Sequence, residues 1–344
     1  MKKKILMGLW IICVMVVFTG CGYDYYDYGY NDDGYCGVFY GDDGYGDDGY
    51  CDDGYCGVLY GDDGYGDDDY GDDDSDVGWS DGDENSQGEG LGSAKEMDGT
   101  TVVVSIFMDD SNTSWDFSNQ EDRDTRSDCK QYMGVATDWL TEQCADYGVN
   151  SDFIYDWNQN IDLYMTGSIN CDATDDYSND LYYEEMEWVD GNVDSEAILS
   201  EYSADNIIYM MYINTEYSSQ IPSCTYVCTS DSEYPYEIVT IYVRAYGEDE
   251  SPATYAHEIL HTFGAPDLYM ADEDGTNYGI TQEYVDELEE MQSNDIMFTT
   301  YDAVSQIPYY DHISNEFSEI IAYYVGLTDY SSVVEQWGFD RSEH

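Results

Sequence analysis

Between Thr101 and Gly326 the spacing of apolar positions switches repeatedly between the strand and helix periods. Thr101 to Met108 (TVVVSIFM) is a β-branched, apolar run of strand length, and it predicts a buried strand. Ser127 to Tyr147 carries Tyr132, Val135, Ala136, Trp139 and Leu140 at helical spacing and predicts a helix. Ser151 to Trp157 and Ile161 to Gly167 predict two short strands. Leu181 to Tyr202 predicts a helix that Gly191 weakens. Asn206 to Ile213 (NIIYMMYI) is a strong buried-strand signal, and Ser223 to Thr229 and Glu237 to Ala245 alternate well enough for two more. The first of these two is a candidate sheet edge on which an extended peptide could lie as an added strand. Ser251 and Pro252 then read as the N-cap and first position of a helix. After a loop-like acidic stretch to Thr276, Thr281 to Met291 reads as helical. Ser305 to Gly326 contains a last helical pattern, with Ile313, Phe317, Ile320, Ile321 and Tyr324 on one side. The expected fold is α/β in the α+β sense, with a mixed sheet and several helices.

The candidate chemistry sits in the helix that Ser251 starts. Ala256 to Tyr269 reads AHEILHTFGAPDLY. Residues four apart share a helix face, so His257 and His261 can offer two imidazole nitrogens to one metal ion. Glu258 lies beside that face, where it can hold and deprotonate a metal-bound water. A catalytic zinc usually takes three protein ligands and keeps one position open. Gly264 can adopt the left-handed conformation that ends a helix, and Pro266 prevents a smooth restart. The chain would turn back and bring Asp267 towards the metal.

This spacing resembles the metzincin clan of zinc metallopeptidases, in the form HExxHxxGxxD. The resemblance implies His257, His261 and Asp267 as zinc ligands and Glu258 as general base. It also implies a Met-turn beneath the metal, for which Asn294-Asp295-Ile296-Met297-Phe298 is the candidate. The resemblance is tight over these two stretches and elsewhere extends only to element order; it implies a zincin/metzincin-like fold, a mixed twisted sheet with an active-site helix and a smaller helical C-terminal subdomain. Glu283 and Glu287 are competing third ligands, because gluzincins use a glutamate on a later helix at about that distance. Tyr301 follows the turn and is a candidate hydrogen-bond donor to an oxyanion, although it is one of 39 tyrosines. His312 is expected to pack at a helix start, and His344 to lie in a loose terminus.

Charge and the chain's N-terminal third change the setting. The 344 residues include 76 acidic and 9 basic ones, giving a formal charge of -67. Such a chain repels phosphate backbones and anionic lipid, which argues against nucleic-acid binding. Attraction to basic peptides or divalent cations remains open. Met1 to Lys4 is basic and Ile5 to Phe18 is apolar but short for a membrane span, a signal-peptide pattern. Phe18-Thr19-Gly20-Cys21 resembles the lipobox of bacterial lipoproteins. The resemblance implies residues 1–20 as signal peptide, lipidation at Cys21, and an extracytoplasmic, membrane-anchored product. Residues 21–99 are a Tyr/Gly/Asp-rich tail with a repeat visible at Tyr35-Cys36-Gly37-Val38 and again at Tyr55-Cys56-Gly57-Val58. Its aliphatic content is too low to build a core, so it is expected to be disordered and to act as a spacer. Its Asp-Asp-Gly beats match neither standard calcium loop, so weak Ca2+ association is the most they imply. Residues 100–340 are then the catalytic domain.

Apart from Cys21, eight cysteines follow the signal: Cys36, Cys51, Cys56, Cys129, Cys144, Cys171, Cys224 and Cys228. The even number and the expected compartment predict disulfides. Cys224 and Cys228 resemble a short metal clip but lack a second pair, so a disulfide or free thiols are the favoured state. The leading expectation is a membrane-anchored zinc metalloendopeptidase acting on extended peptides. Its main competitor is a surface binding protein with a structural or degenerate zinc site and a cation-binding tail. A zinc amidase acting on cell-wall peptides is a third.

Overall fold

A computed structural model describes residues 97–174, 179–226, 237–272 and 277–340, with the backbone of four two-residue strands in the tail. Those are β1 (Tyr35–Cys36), β2 (Tyr40–Gly41), β3 (Tyr55–Cys56) and β4 (Tyr60–Gly61). β1 pairs with β3 and β2 with β4, both parallel, and Tyr35 faces Tyr55 as Tyr40 faces Tyr60. The pairing offset equals the sequence repeat. The rest of the tail, the export signal and Cys21 lie outside the described residues, as do the expectations attached to them.

One mixed sheet organises the remainder. Its order is β6 (Ser151–Ile154), β5 (Gly99–Asp109), β8 (Asn206–Ile213), β10 (Ile238–Tyr242) and β9 (Cys224–Tyr226). β7 (Tyr164–Ser168) pairs with the second half of β5, beyond β6. Every pairing in this sheet is parallel except that of β9, which runs antiparallel to β10 at the sheet's end. The continuous apolar runs of β5 and β8 follow from burial on both faces. The two-residue period sends Val103, Phe107, Ile208, Met210, Tyr212, Val239 and Ile241 to one core. It sends Val104, Ile106, Met108, Tyr209, Met211, Ile213 and Tyr242 to the other.

The helices divide between these cores. α1 (Gln120–Asp146) and α4 (Pro252–Thr262) pack on the first, with the C-terminal part of the chain. α2 (Asn179–Asn192) and α3 (Ser195–Tyr202) cover the second. A 3-10 turn (Ile161–Leu163) precedes β7, and the pair β11 (Arg244–Ala245) and β12 (Glu248–Asp249) precedes α4. α5 (Gln282–Met291), α6 (Glu319–Tyr324) and α7 (Ser332–Trp337) complete the chain.

Several sequence expectations shift. α1 starts at Gln120, not Ser127, because the side chain of Asn119 accepts the Asp122 N–H and caps it. The intervening residues are polar, so apolar spacing could not reveal that turn. The helix expected over Leu181 to Tyr202 is two helices. Asp194 caps the second by accepting the Ala197 N–H. The pattern over Ser305 to Gly326 is helical only from Glu319. Before it, Pro308 interrupts, and Glu316 is drawn into a backbone bridge with Asp295. α7 was not anticipated. Lys130 of α1 forms a 2.8 Å salt bridge to Asp156. Arg123 instead donates to the carbonyls of Phe117 and Ser118, and Arg126 lies 4.6 Å over the Phe117 ring.

The cysteine expectation is also corrected. Cys129, Cys144 and Cys171 are free thiols. The first two face the core from α1, where apolar side chains and not other thiols surround them. Cys224 is disulfide-bonded, to none of these three.

β7 meets α2 at one tight contact. A Cβ on Gly167 would stand 2.4 Å from the Trp188 ring. Gly167→Ala is therefore expected to destabilise the chain by about 1–3 kcal/mol through overpacking. Urea unfolding measures this, and an unchanged midpoint would mean that the indole moves aside freely.

Candidate metal centre

α4 begins with Ser251, whose hydroxyl accepts the Thr254 N–H, and Pro252 at its first turn. The helix is buried along its whole length except at His261, which is half-buried. Its end is a Schellman motif. The Gly264 N–H donates to the His261 carbonyl at 2.9 Å and the Ala265 N–H to the Leu260 carbonyl at 3.1 Å. Gly264 sits at φ +93°, the left-handed region expected of it.

This turn folds the next residues back over the helix. The Ala265 carbonyl accepts from His261 Nδ1 at 2.8 Å. The Ile296 carbonyl, in the turn that contains Met297, accepts from His257 Nδ1 at 2.9 Å. Both Nδ1 atoms therefore carry the proton of the neutral imidazole, and both Nε2 atoms are left as bare acceptors. Those two Nε2 atoms are 3.1 Å apart. Asp267 Oδ1 lies 3.3 Å from one and 3.2 Å from the other. Asp267 Oδ1 is buried, and among the described residues those two nitrogens are the polar atoms it pairs with.

Three acceptor atoms thus face one another at nearly equal distances. Ligands of a tetrahedral zinc at about 2.0–2.1 Å stand roughly 3.3 Å apart, which this triangle matches. The donor set, two imidazoles and a carboxylate, suits the same ion. Without a metal the charge balances another way. Burial opposes a charge on His261, but the Asp267 carboxylate outweighs it and raises the imidazole to about 9. Burial likewise opposes ionisation of Asp267, but His261 and His257 more than offset it and hold the carboxyl well below the usual range.

The surroundings fix the triad in place. The Leu268 N–H donates to the Met297 carbonyl at 2.9 Å, tying the Asp267 segment to the turn. Asn277 Nδ2 donates to the carbonyls of Asp267 and Met270. Met297 is fully buried. Asp295 Oδ1 accepts the Met297 N–H at 2.8 Å and so shapes the turn. Burial pushes the Asp295 carboxyl up to about 6, opposed by the Met297 N–H that it accepts. The Tyr269 ring stacks on His257 at 6.4 Å.

Glu258 is buried, and its Oε2 accepts a 2.8 Å hydrogen bond from Thr225. Burial raises its pKa, while His257 and His261 act in the opposite direction.

Among the described residues, His257, His261 and Asp267 are the one group of three potential ligands that converge. The competing glutamates, Glu283 and Glu287, are exposed on α5 and stand apart from it. Tyr301 is bonded through its backbone to Thr299 and Asn315. Its phenol acts on that of Tyr310. His312 is exposed, bonded to Asp311 and stacked on Tyr309 at 4.5 Å, not packed at a helix start. Sequence reasoning missed Thr225, Asn277 and Asp295. Only Asp295 had a signal, its place in the candidate turn.

No family model matches this chain, and none of the curated proteins compared with it matches either.

Proposed function

We propose that this chain is a zinc-dependent metallopeptidase of metzincin type, exported and held at the outer side of a bacterial membrane by lipid on Cys21. The observation that carries the reading is the convergence of His257 Nε2, His261 Nε2 and Asp267 Oδ1 within 3.1–3.3 Å, with both Nδ1 protons committed elsewhere. His257, His261 and Asp267 would hold the ion. Zinc supplies Lewis acidity, which makes water a nucleophile near neutral pH and polarises a carbonyl. Glu258 would accept the proton of the attacking water at its carboxylate and deliver it to the leaving amine. The Ile296 and Ala265 carbonyls orient the two imidazoles, as outer partners of histidine ligands generally do. An extended peptide would add as a strand beside β9, the antiparallel last strand of the sheet, in competition with β3 of the tail, which touches it. The carboxylate ligand brings a negative charge that a third histidine would not, which weakens the ion as a Lewis acid. No described helix is long and apolar enough to cross a membrane. The anchor rests on the lipobox-like sequence at Cys21.

The test is zinc content and cleavage of casein or a peptide library by the lipid-free chain, beside its Glu258→Gln form. One zinc per chain in both forms, with cleavage lost in the variant, is the expected result. Stoichiometric zinc without cleavage by the parent chain would favour the surface binding protein. A folded chain that takes up no zinc would overturn both.

A further inference from the structure

The helix that carries Glu258 does not by itself aim the carboxylate. A buried carboxylate needs donors, and the Thr225 hydroxyl is the only side-chain donor to it among the described residues. Thr225 Oγ1 stands 2.8 Å from Glu258 Oε2 and 2.9 Å from the backbone carbonyl of the same residue. One hydroxyl thus spans both ends of Glu258. It grips Oε2, and no described donor engages Oε1. Thr225 is itself buried and belongs to β9, whose other side pairs with β10 at Val239. The same three-residue strand therefore ends the sheet and holds the proposed base.

We propose that Thr225 is a positioning residue for Glu258: its hydroxyl holds Oε2 and so fixes the carboxylate with Oε1 turned to the reaction. This rests on the peptidase reading above. Removing the hydroxyl would leave the ligands untouched, because His257, His261 and Asp267 take their bonds from Ile296, Ala265 and one another. The loss should therefore fall on the chemical step and not on metal or substrate binding.

The experiment compares Thr225→Val, which keeps the shape and β-branching, with Thr225→Ser, which keeps the hydroxyl, in the zinc-loaded lipid-free chain. Thr225→Val is expected to lower kcat by about 10- to 100-fold, as loss of an outer partner does, with KM and zinc content unchanged. Thr225→Ser should recover most of kcat. A second readout needs no turnover. In the zinc-free chain, the shifts in urea midpoint of Thr225→Val and Glu258→Ala should be non-additive in the double variant, because the two groups are bonded. Normal kcat in Thr225→Val, a loss that Ser does not recover, or additive midpoints would overturn the assignment while leaving the peptidase reading intact. Non-additive midpoints in a parent chain that loads zinc but cleaves nothing would instead overturn the peptidase reading, and the role of Thr225 in catalysis with it.

Discussion

Asp267→Ala is expected to weaken zinc binding by more than about 100-fold, beyond the loss typical of an outer partner, and to remove cleavage with it. The reason is the direction of the lone pairs. The Ile296 and Ala265 carbonyls commit both Nδ1 protons, so the Nε2 atoms of His257 and His261 have lone pairs facing Asp267 Oδ1. Two imidazoles alone leave the ion with a neutral, two-point site. The carboxylate supplies both the third point and the only negative charge in the set. A zinc titration against a competing chelator measures the change. Affinity within a few-fold of the parent chain would show that another residue is the third ligand.

The same geometry sets a pH dependence. In the metal-free chain, burial works against a proton on His261, but Asp267 stabilises it and raises the imidazole to about 9. A ligand nitrogen must be unprotonated, so zinc has to displace that proton. Apparent affinity should therefore rise with pH, by about tenfold per unit, and level off near 9. In Asp267→Ala the rise should end at lower pH, because the group that stabilises the proton is gone.

Glu185→Gln is expected to make the chain more stable at pH 8 and above, by an amount of the order of a few kcal/mol. Glu185 is 0 % exposed in the core between α2 and the sheet. Its only described partner is the Thr240 hydroxyl, at 3.0 and 3.1 Å from its two oxygens. Burial pushes the carboxyl up to about 8, and the Thr240 bond opposes this only in part. In the unfolded chain the same carboxyl would titrate near its ordinary value of 4.5. Between these values the folded state binds more protons than the unfolded state. Stability contributed by the neutral carboxyl is thus fully present below about 4.5 and is lost as pH rises to about 8.

Glutamine keeps the size and an acceptor for Thr240 without a charge, so it should flatten that part of the profile. Asp295, raised to about 6, and Glu250, raised to about 7, lean the same way and would persist in the variant. Asp267, depressed by its histidines, leans the opposite way. Urea midpoints of the metal-free chain across pH 5–9 compare the two forms. Parallel profiles would show that Glu185 does not titrate in this window.

The HExxH helix, its cap at Ser251 and its end at Gly264 were all legible in the amino-acid sequence. Each depends on contacts within a few residues: a hydroxyl reaching the third N–H, a proline at the first turn, a glycine in the left-handed region. β5 and β8 were legible for a related reason, since burial on both faces leaves an unbroken apolar run. The motif residues His257, Glu258, His261 and Asp267 were legible because one helix and one turn carry all four. The start of α1 was not, because a polar first turn leaves no hydrophobic trace. The irregular path before α6 was not, because Glu316 is claimed by Asp295, distant in sequence.

What only the tertiary structure decided is the chemistry's orientation. His257 depends on a carbonyl at Ile296, and Glu258 on a hydroxyl at Thr225, each more than thirty residues away. Cys129 and Cys144 stay reduced because the core brings apolar side chains, not thiols, against them. Glu283 and Glu287 are turned to solvent on α5, whereas Asp267 is buried against the two histidines. Sequence sets the capping and periodicity that act over a turn or two. Which nitrogen keeps its proton, and which carboxylate faces the two imidazoles, depends on groups that only folding brings together.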